Sequence, residues 1–208
     1  MGITVLTDNY PRRAHLEFYR ANPAPFYAVT FELEASKVRA RAREISGSTY
    51  AALCWAFHRA MLKVEAFRVR LAGEDVVLHD TLRIGMTVPG PGRTFTFATH
   101  EWNESGAEFL KGAGAEIARA SEAVNLDRGG DPDFAYYTAV PGVPFLGITH
   151  APHRDRTAGQ PMTAFGKFRE DGPRLFVPVG LQVNHMYVDG IDVSDLYEGA
   201  QRSFTEAF

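Results

Sequence analysis

The residues best suited to acid–base chemistry lie in Gln182-Val183-Asn184-His185-Met186-Tyr187-Val188-Asp189-Gly190. A free imidazole titrates near 6.5, so a neutral histidine can take a proton from a hydroxyl at physiological pH and hand it on. Two readings of His185 stay open from spacing alone. One is a general base with Asp189 close by; the other is a buried, hydrogen-bonded histidine beside a turn. His150 and His153 have a spacing that two metal ligands can share, but no Cys or third ligand is patterned with them, so no metal is expected. Cys54 is the sole cysteine, which rules out a disulfide within the chain. It lies among apolar residues of helical period and reads as core rather than nucleophile. The glycines around Pro91 and the Gly129–Gly130 pair lack phosphate-loop spacing. No Gly-x-Ser-x-Gly elbow is present.

His185 needs elements to hold it. The apolar run from Leu175 to Leu181 reads as a buried strand and the tail as an amphipathic helix from about Val193, which puts the histidine at a strand end. Asp189 and Gly190 read as a tight turn between them. Upstream, Arg12 to Ala21 reads as a helix stopped by Asn22-Pro23-Ala24-Pro25. A strand follows over Phe26 to Leu33, then a short helix with Ser36 as its cap. Tyr50, Leu53, Cys54, Phe57, Met61 and Val64 share one face of the clearest helix. Gly73-Glu74-Asp75 predicts a hairpin between 67–71 and 76–78. Strands are expected at 83–88, 93–99, 134–139 and 144–150, with a long helix over 105–124 loosened by Gly112 and Gly114. Asn125 to Pro132 is a turn-rich loop and 151–159 a polar one. A second hairpin joins 163–168 to 174–183. These elements, with no repeat or linker, predict one domain over residues 1–208. It is an α/β (α+β two-layer sandwich) fold, a mixed sheet with helices packed on it.

The chain has 208 residues, 45% hydrophobic and 23% charged, with a formal net charge of −3. That suits one ordered domain with a sizeable core. The densest basic stretch, Lys37, Arg39, Arg41 and Arg43, spreads around a helix, so no nucleic-acid surface is expected. No run approaches a membrane span and no signal peptide is apparent, so the expected location is cytoplasmic. Met1-Gly2 opens like a myristoylation site, but Leu6 stands where Ser or Thr is wanted.

The segment 182–190 with Ile191-Asp192-Val193-Ser194-Asp195-Leu196-Tyr197 resembles the C-terminal signature of the type A chloramphenicol acetyltransferases. Pro11-Arg12-Arg13-Ala14-His15-Leu16-Glu17-Phe18-Tyr19-Arg20 is similar to that family's opening helix. The resemblance runs from about Tyr10 to Phe204. It implies an acetyl-CoA-dependent O-acetyltransferase, with acetyl-CoA as co-substrate, no metal, and a small-molecule hydroxyl acceptor of which chloramphenicol is one candidate. It also implies a homotrimer with active sites between subunits and a setting in antibiotic resistance. By resemblance His185 is the general base, and Asp189 is braced by an arginine of the first helix, best matched by Arg12 with Arg13 as fallback. Tyr19 falls near the acceptor. Phe26 or Tyr27 forms an aromatic wall to which Phe95, Phe97 and Phe134 can add. Lys167 and Phe168 fall near coenzyme A.

Three positions depart from the family pattern. Asn184 replaces the first of two adjacent histidines. Gly147 stands where the family has an oxyanion serine, with Thr149 the nearest hydroxyl. Ala164 replaces a threonine that acts through water, with Thr163 beside it on the opposite strand face. Losing an oxyanion donor costs on the order of 100- to 1,000-fold. Either Thr149 substitutes, or turnover is slow, or the chemistry has changed. The alternatives are therefore a different acceptor, as in the dihydrolipoamide acyltransferases that share His-x-x-x-Asp-Gly, or a protein that binds a small hydrophobic ligand without catalysis.

Overall fold

Arg174–Asn184 is the longest strand and is buried almost throughout, as its apolar run requires of a strand paired on both edges and covered on both faces. In the computed structural model, which describes residues 2–127, 132–151 and 153–206, the chain begins with β1 (Ile3–Val5), α1 (Arg13–Arg20), β2 (Phe26–Glu34), α2 (Ser36–Glu44) and α3 (Thr49–Met61). A 3-10 turn (Glu65–Arg68) leads to β3 (Val69–Ala72), β4 (Asp75–His79), β5 (Arg83–Pro89), β6 (Phe95–His100) and α4 (Gly106–Ala120). The remainder is β7 (Phe134–Ala139), β8 (Met162–Phe165), β9 (Arg169–Asp171), β10 (Arg174–Asn184) and α5 (Gly190–Thr205). The Gly129–Gly130 pair lies outside the described residues.

The large sheet has the order β2-β10-β8-β7-β5-β6, with β9 paired to β10 beyond the end of β8. It is mixed: β7 runs parallel to both β5 and β8, and the other pairs are antiparallel. A small sheet, β1-β4-β3, stands apart. Strand alternation sends Tyr27, Val29 and Phe31 of β2, Tyr137 of β7, Phe165 of β8 and Leu181 of β10 to one face. There the helices bury Tyr137, Phe165 and Leu181 and half-cover the β2 side chains: Phe31 stacks on Phe57 of α3 and meets Tyr197 of α5, while Phe57 packs edge-on to Phe165. His58 is fully buried in this layer. Its Nδ1 lies 3.0 Å from the Tyr137 hydroxyl and its Nε2 2.9 Å from the Leu82 carbonyl, so the neutral ring carries its proton on Nε2. Burial lowers its pKa to about 3. Cys54 is also buried, and burial raises its thiol pKa.

The opposite face is crossed by the segment between β7 and β8, and this corrects one expectation. Residues 144–150 form no strand. Phe145 and Ile148 instead lie flat over Gly180 of β10, where any Cβ would collide with Ile148. Pro141 and Pro144 cannot donate to a ladder, and β7, β8 and β10 already pair with one another. Phe145 and Ile148 therefore pack on the sheet instead of extending it, while Leu146 between them points to solvent.

Smaller differences have equally local causes. Ala35 occupies the cap position of α2, because the Ser36 hydroxyl accepts the Leu175 N–H instead. Phe67 lies in the 3-10 turn rather than in a strand. Helix α4 ends at Ala120, before Val124, and Gly112 makes room for the His100 ring. Helix α5 begins at Gly190, three residues earlier than expected, because Asp189 is its cap rather than part of a separate turn.

Candidate active site

Strand β10 delivers His185 into a tight turn. The Asn184 carbonyl accepts the N–H groups of Tyr187 and Val188, both at 3.1 Å, and the Asn184 side-chain oxygen accepts the Met186 N–H at 2.9 Å. The His185 N–H donates to the Pro25 carbonyl at 2.8 Å. Pro23 and Pro25 keep that stretch extended just before β2. The backbone of His185 is thus held from both sides.

Two tyrosines hold its ring. Tyr19 of α1 stacks on it at 4.4 Å with an interplanar angle of 15°, and Tyr27 of β2 packs at 4.7 Å and 48°. The residue is half-buried. Its Nδ1 is buried with no hydrogen-bond partner among the described residues, which leaves Nε2 as the accessible edge. The Tyr27 hydroxyl donates weakly to the Val188 carbonyl at 3.4 Å. Its pKa is pushed up to about 12, chiefly by burial and then by Asp189 and Asp192, so it stays protonated.

The carboxylates beside His185 belong to the start of α5. Asp189 caps the helix, its side chain accepting the Gly190 N–H at 2.5 Å, while the Asp192 side chain accepts the Asp189 N–H at 2.7 Å. This is a capping box built from two aspartates. Arg12, just before α1, reaches both: Nη1 lies 3.3 Å from Asp192 and 3.5 Å from Asp189. Arg13 pairs instead with Glu17 and the Thr7 carbonyl. The Gly190 N–H is the main influence holding the Asp189 carboxyl below the usual range, with Arg12, His185 and His15 acting in the same direction. Arg12 touches the two carboxylates through one nitrogen, not as a two-pronged fork. Asp192 escaped sequence reasoning, although Asp-x-x-Asp at the start of an apolar-periodic segment is a capping-box signal.

The other candidates lie in separate places. Phe95 and Phe97 of β6 line a pocket of about 300 Å³ with Tyr136, Met162, Thr87 and His150 on the helix-free face. Phe134 is not among its lining residues. It is buried, stacked on Tyr136 with the Arg83 guanidinium 4.1 Å above its ring. Phe26 stacks on His153 and borders a second cavity with His150 and Gln182. Thr149 is exposed on the crossing segment. Lys167 lines a groove with Phe145, Leu146 and Pro178, of which Leu146 is the chain neighbour of Gly147. Phe168 packs at the core edge under Arg39. The Thr163 hydroxyl is buried on the helix side without a partner among the described residues, and Ala164 faces the other way. Among the described residues, no group of three or more His, Cys, Asp or Glu could hold a metal ion.

A mixed sheet layered on helices, its longest strand ending at a histidine and a capped helix, makes up a fold shared with solved acetyltransferases. A solved chloramphenicol acetyltransferase superposes with a TM-score of 0.84 at 21% identity, covering 96% of this chain and 97% of that one. The dihydrolipoamide acetyltransferase of Azotobacter vinelandii gives 0.70 at 12% identity, over 93% of this chain and 86% of its own. In sequence, the chloramphenicol acetyltransferase of Streptomyces acrimycini is 27% identical over 91% of this chain and 88% of its own length. That of Bacillus pumilus is 23% identical over 93% and 89%. The chloramphenicol acetyltransferase family profile matches residues 3–201. This chain belongs to the chloramphenicol acetyltransferase family, and it is an acetyltransferase.

Proposed function

We propose that this chain transfers the acetyl group of acetyl-CoA to a hydroxyl of a small molecule, with chloramphenicol the first acceptor to test. The carrying observation is the half-buried His185 ring, held between Tyr19 and Tyr27 with Nε2 accessible. Nε2 takes the acceptor's hydroxyl proton as the oxygen attacks the thioester carbonyl. The tetrahedral intermediate collapses, the C–S bond breaks, and the imidazolium returns the proton to the departing thiolate. Arg12, Asp189 and Asp192 brace the turn that carries the ring.

His185 does not line the Phe95–Phe97 pocket. That separation supports a homotrimer in which the histidine of one subunit meets the acceptor pocket of its neighbour, with Phe26 and Tyr27 on the histidine side. The groove at Lys167, beside Leu146 and close to Gly147, suits coenzyme A, with Phe168 behind it. Thr149, exposed on the same segment, is the hydroxyl available to the oxyanion. A thioester co-substrate and a lone buried Cys54 support a cytoplasmic location. Among the described residues no helix is long and apolar enough to cross a membrane.

Thiol release from acetyl-CoA with chloramphenicol and a panel of hydroxyl acceptors tests the reading. His185→Ala is expected to lower kcat by roughly 100- to 10,000-fold; an unchanged rate would overturn it. Gly147 favours a second reading, a ligand-binding protein without turnover. Tight chloramphenicol binding with no acetyl transfer to any acceptor would select that one.

A further inference from the structure

Three successive carbonyls of the polar loop after His153 are held by the two side chains that flank His185. Asn184 Nδ2 donates to the Arg156 carbonyl at 2.8 Å and to the Ala158 carbonyl at 3.0 Å. The Tyr187 hydroxyl donates to the Thr157 carbonyl between them at 2.7 Å. Gly159 completes the dock: a Cβ there would press on the Tyr187 ring and the Arg70 side chain, so the backbone lies directly against both. Asn184 is 2% exposed and Tyr187 fully buried.

A loop of this composition would ordinarily move freely over the surface. Here it is pinned to the same turn as the reacting imidazole, and its outer residues wall a cavity. Arg154, Asp155 and Arg156 border a space of about 530 Å³ with Phe26, His153 and Gln182. Pro23 and Ala24 line the same space, and Pro25 between them and Phe26 holds the His185 N–H. Asn184 and Tyr187 therefore tie the position of the loop to the position of His185.

We propose that Asn184 and Tyr187 are positioning residues that clamp residues 156–159 onto the catalytic turn, making the 153–156 stretch a fixed wall of the acceptor site. The clamp also accounts for the departure at 184, where an amide does what an imidazole could not. It donates twice through Nδ2 while Oδ1 accepts from Met186, and a neutral histidine has a single N–H. This inference rests on the acetyltransferase reading for its kinetic consequence, but not for the clamp itself.

Tyr187→Phe removes one hydroxyl and keeps the ring against Gly159, which makes it the cleaner variant; Asn184→Ala removes both amide donors together with the Oδ1 that accepts the Met186 N–H. With acetyl-CoA and chloramphenicol, Tyr187→Phe is expected to raise the acceptor KM about threefold to tenfold, the loss of one hydrogen bond. Asn184→Ala should raise it further. The KM for acetyl-CoA and the pH profile of kcat should stay as they are. Amide hydrogen exchange across 154–160 should quicken in both variants. A faster loop with an unchanged acceptor KM overturns the wall, and so does a fall in kcat alone, which would mean that the pair acts through His185. Should the native protein transfer no acetyl group, the acetyltransferase reading falls. Exchange and chloramphenicol affinity then judge the clamp, and unchanged loop protection in Tyr187→Phe sinks it.

Discussion

Gly147 is the residue that most separates this chain from the family pattern. Its Cβ position meets nothing within 4 Å among the described residues, and its φ lies outside the left-handed region, so a serine fits there without steric or backbone cost. Where no hydroxyl supports the tetrahedral oxyanion, Gly147→Ser should raise kcat by up to roughly 100-fold and leave the thermal midpoint unchanged. If Thr149 already supplies that hydroxyl, Gly147→Ser changes little and Thr149→Val lowers kcat instead. Steady-state thiol release on the two variants separates the outcomes. Tyr19 and Tyr27 illustrate another residue-scale point: the resemblance put Tyr19 near the acceptor and either Phe26 or Tyr27 in its aromatic wall, and in the structure both tyrosine rings lie against His185 itself.

The start of α5 does two jobs with two aspartates. Asn caps nearly as well as Asp, so Asp189→Asn should leave the thermal midpoint almost unchanged. Asp192→Ala breaks the capping box and the shorter Arg12 contact. It should cost about 1 kcal/mol, a fall of roughly 2–4 °C for a chain of this length. Equal effects from the two substitutions in a melting experiment would contradict this division.

Helix α3 carries a different liability. His58 is neutral when folded, with a pKa near 3, and takes up a proton near 6.5 once unfolded. The unfolded chain binds the proton first, so its contribution is complete above about pH 6.5 and is lost as pH falls toward 3. Between pH 7 and 5 that loss is about 2 kcal/mol. His58→Phe should start less stable, because the Leu82 carbonyl loses its donor, but should lose less stability on acidification than the native protein. Parallel pH–stability curves would refute the assignment.

At the scale of the molecule, helices cover one sheet face and the crossing segment covers part of the other. In the proposed homotrimer, closed symmetry would let one copy's histidine meet another copy's pocket. Three copies of 23.0 kDa give about 69 kDa, which sedimentation can measure. A sharper test mixes two inactive proteins, His185→Ala and Phe97→Arg. Refolded together, trimers that join an intact histidine to an intact pocket should regain acetyl transfer. No recovery, with mixed trimers present, would mean that one subunit holds the whole site.

Sequence alone determined whatever depends on neighbours along the chain. The 3.6-residue face of α3, the proline stop after α1, the glycine turns at 73 and 172 and the strand–His185–helix order were all legible, because periodicity and turn chemistry are local; that Arg169–Asp171, and not 163–168, pairs with β10 across Gly172 was not. Two short motifs were enough for the family. Tertiary structure alone decided what depends on which surfaces meet. It made 144–150 a cover for Gly180 instead of a strand, separated Phe134 from the pocket of Phe95 and Phe97, and set Arg12 between two carboxylates rather than one. It also joined Asn184 and Tyr187 to carbonyls 26 to 30 residues away in the chain. Such contacts follow from the order of strands in the sheet, and pairwise spacing along the chain does not encode that order.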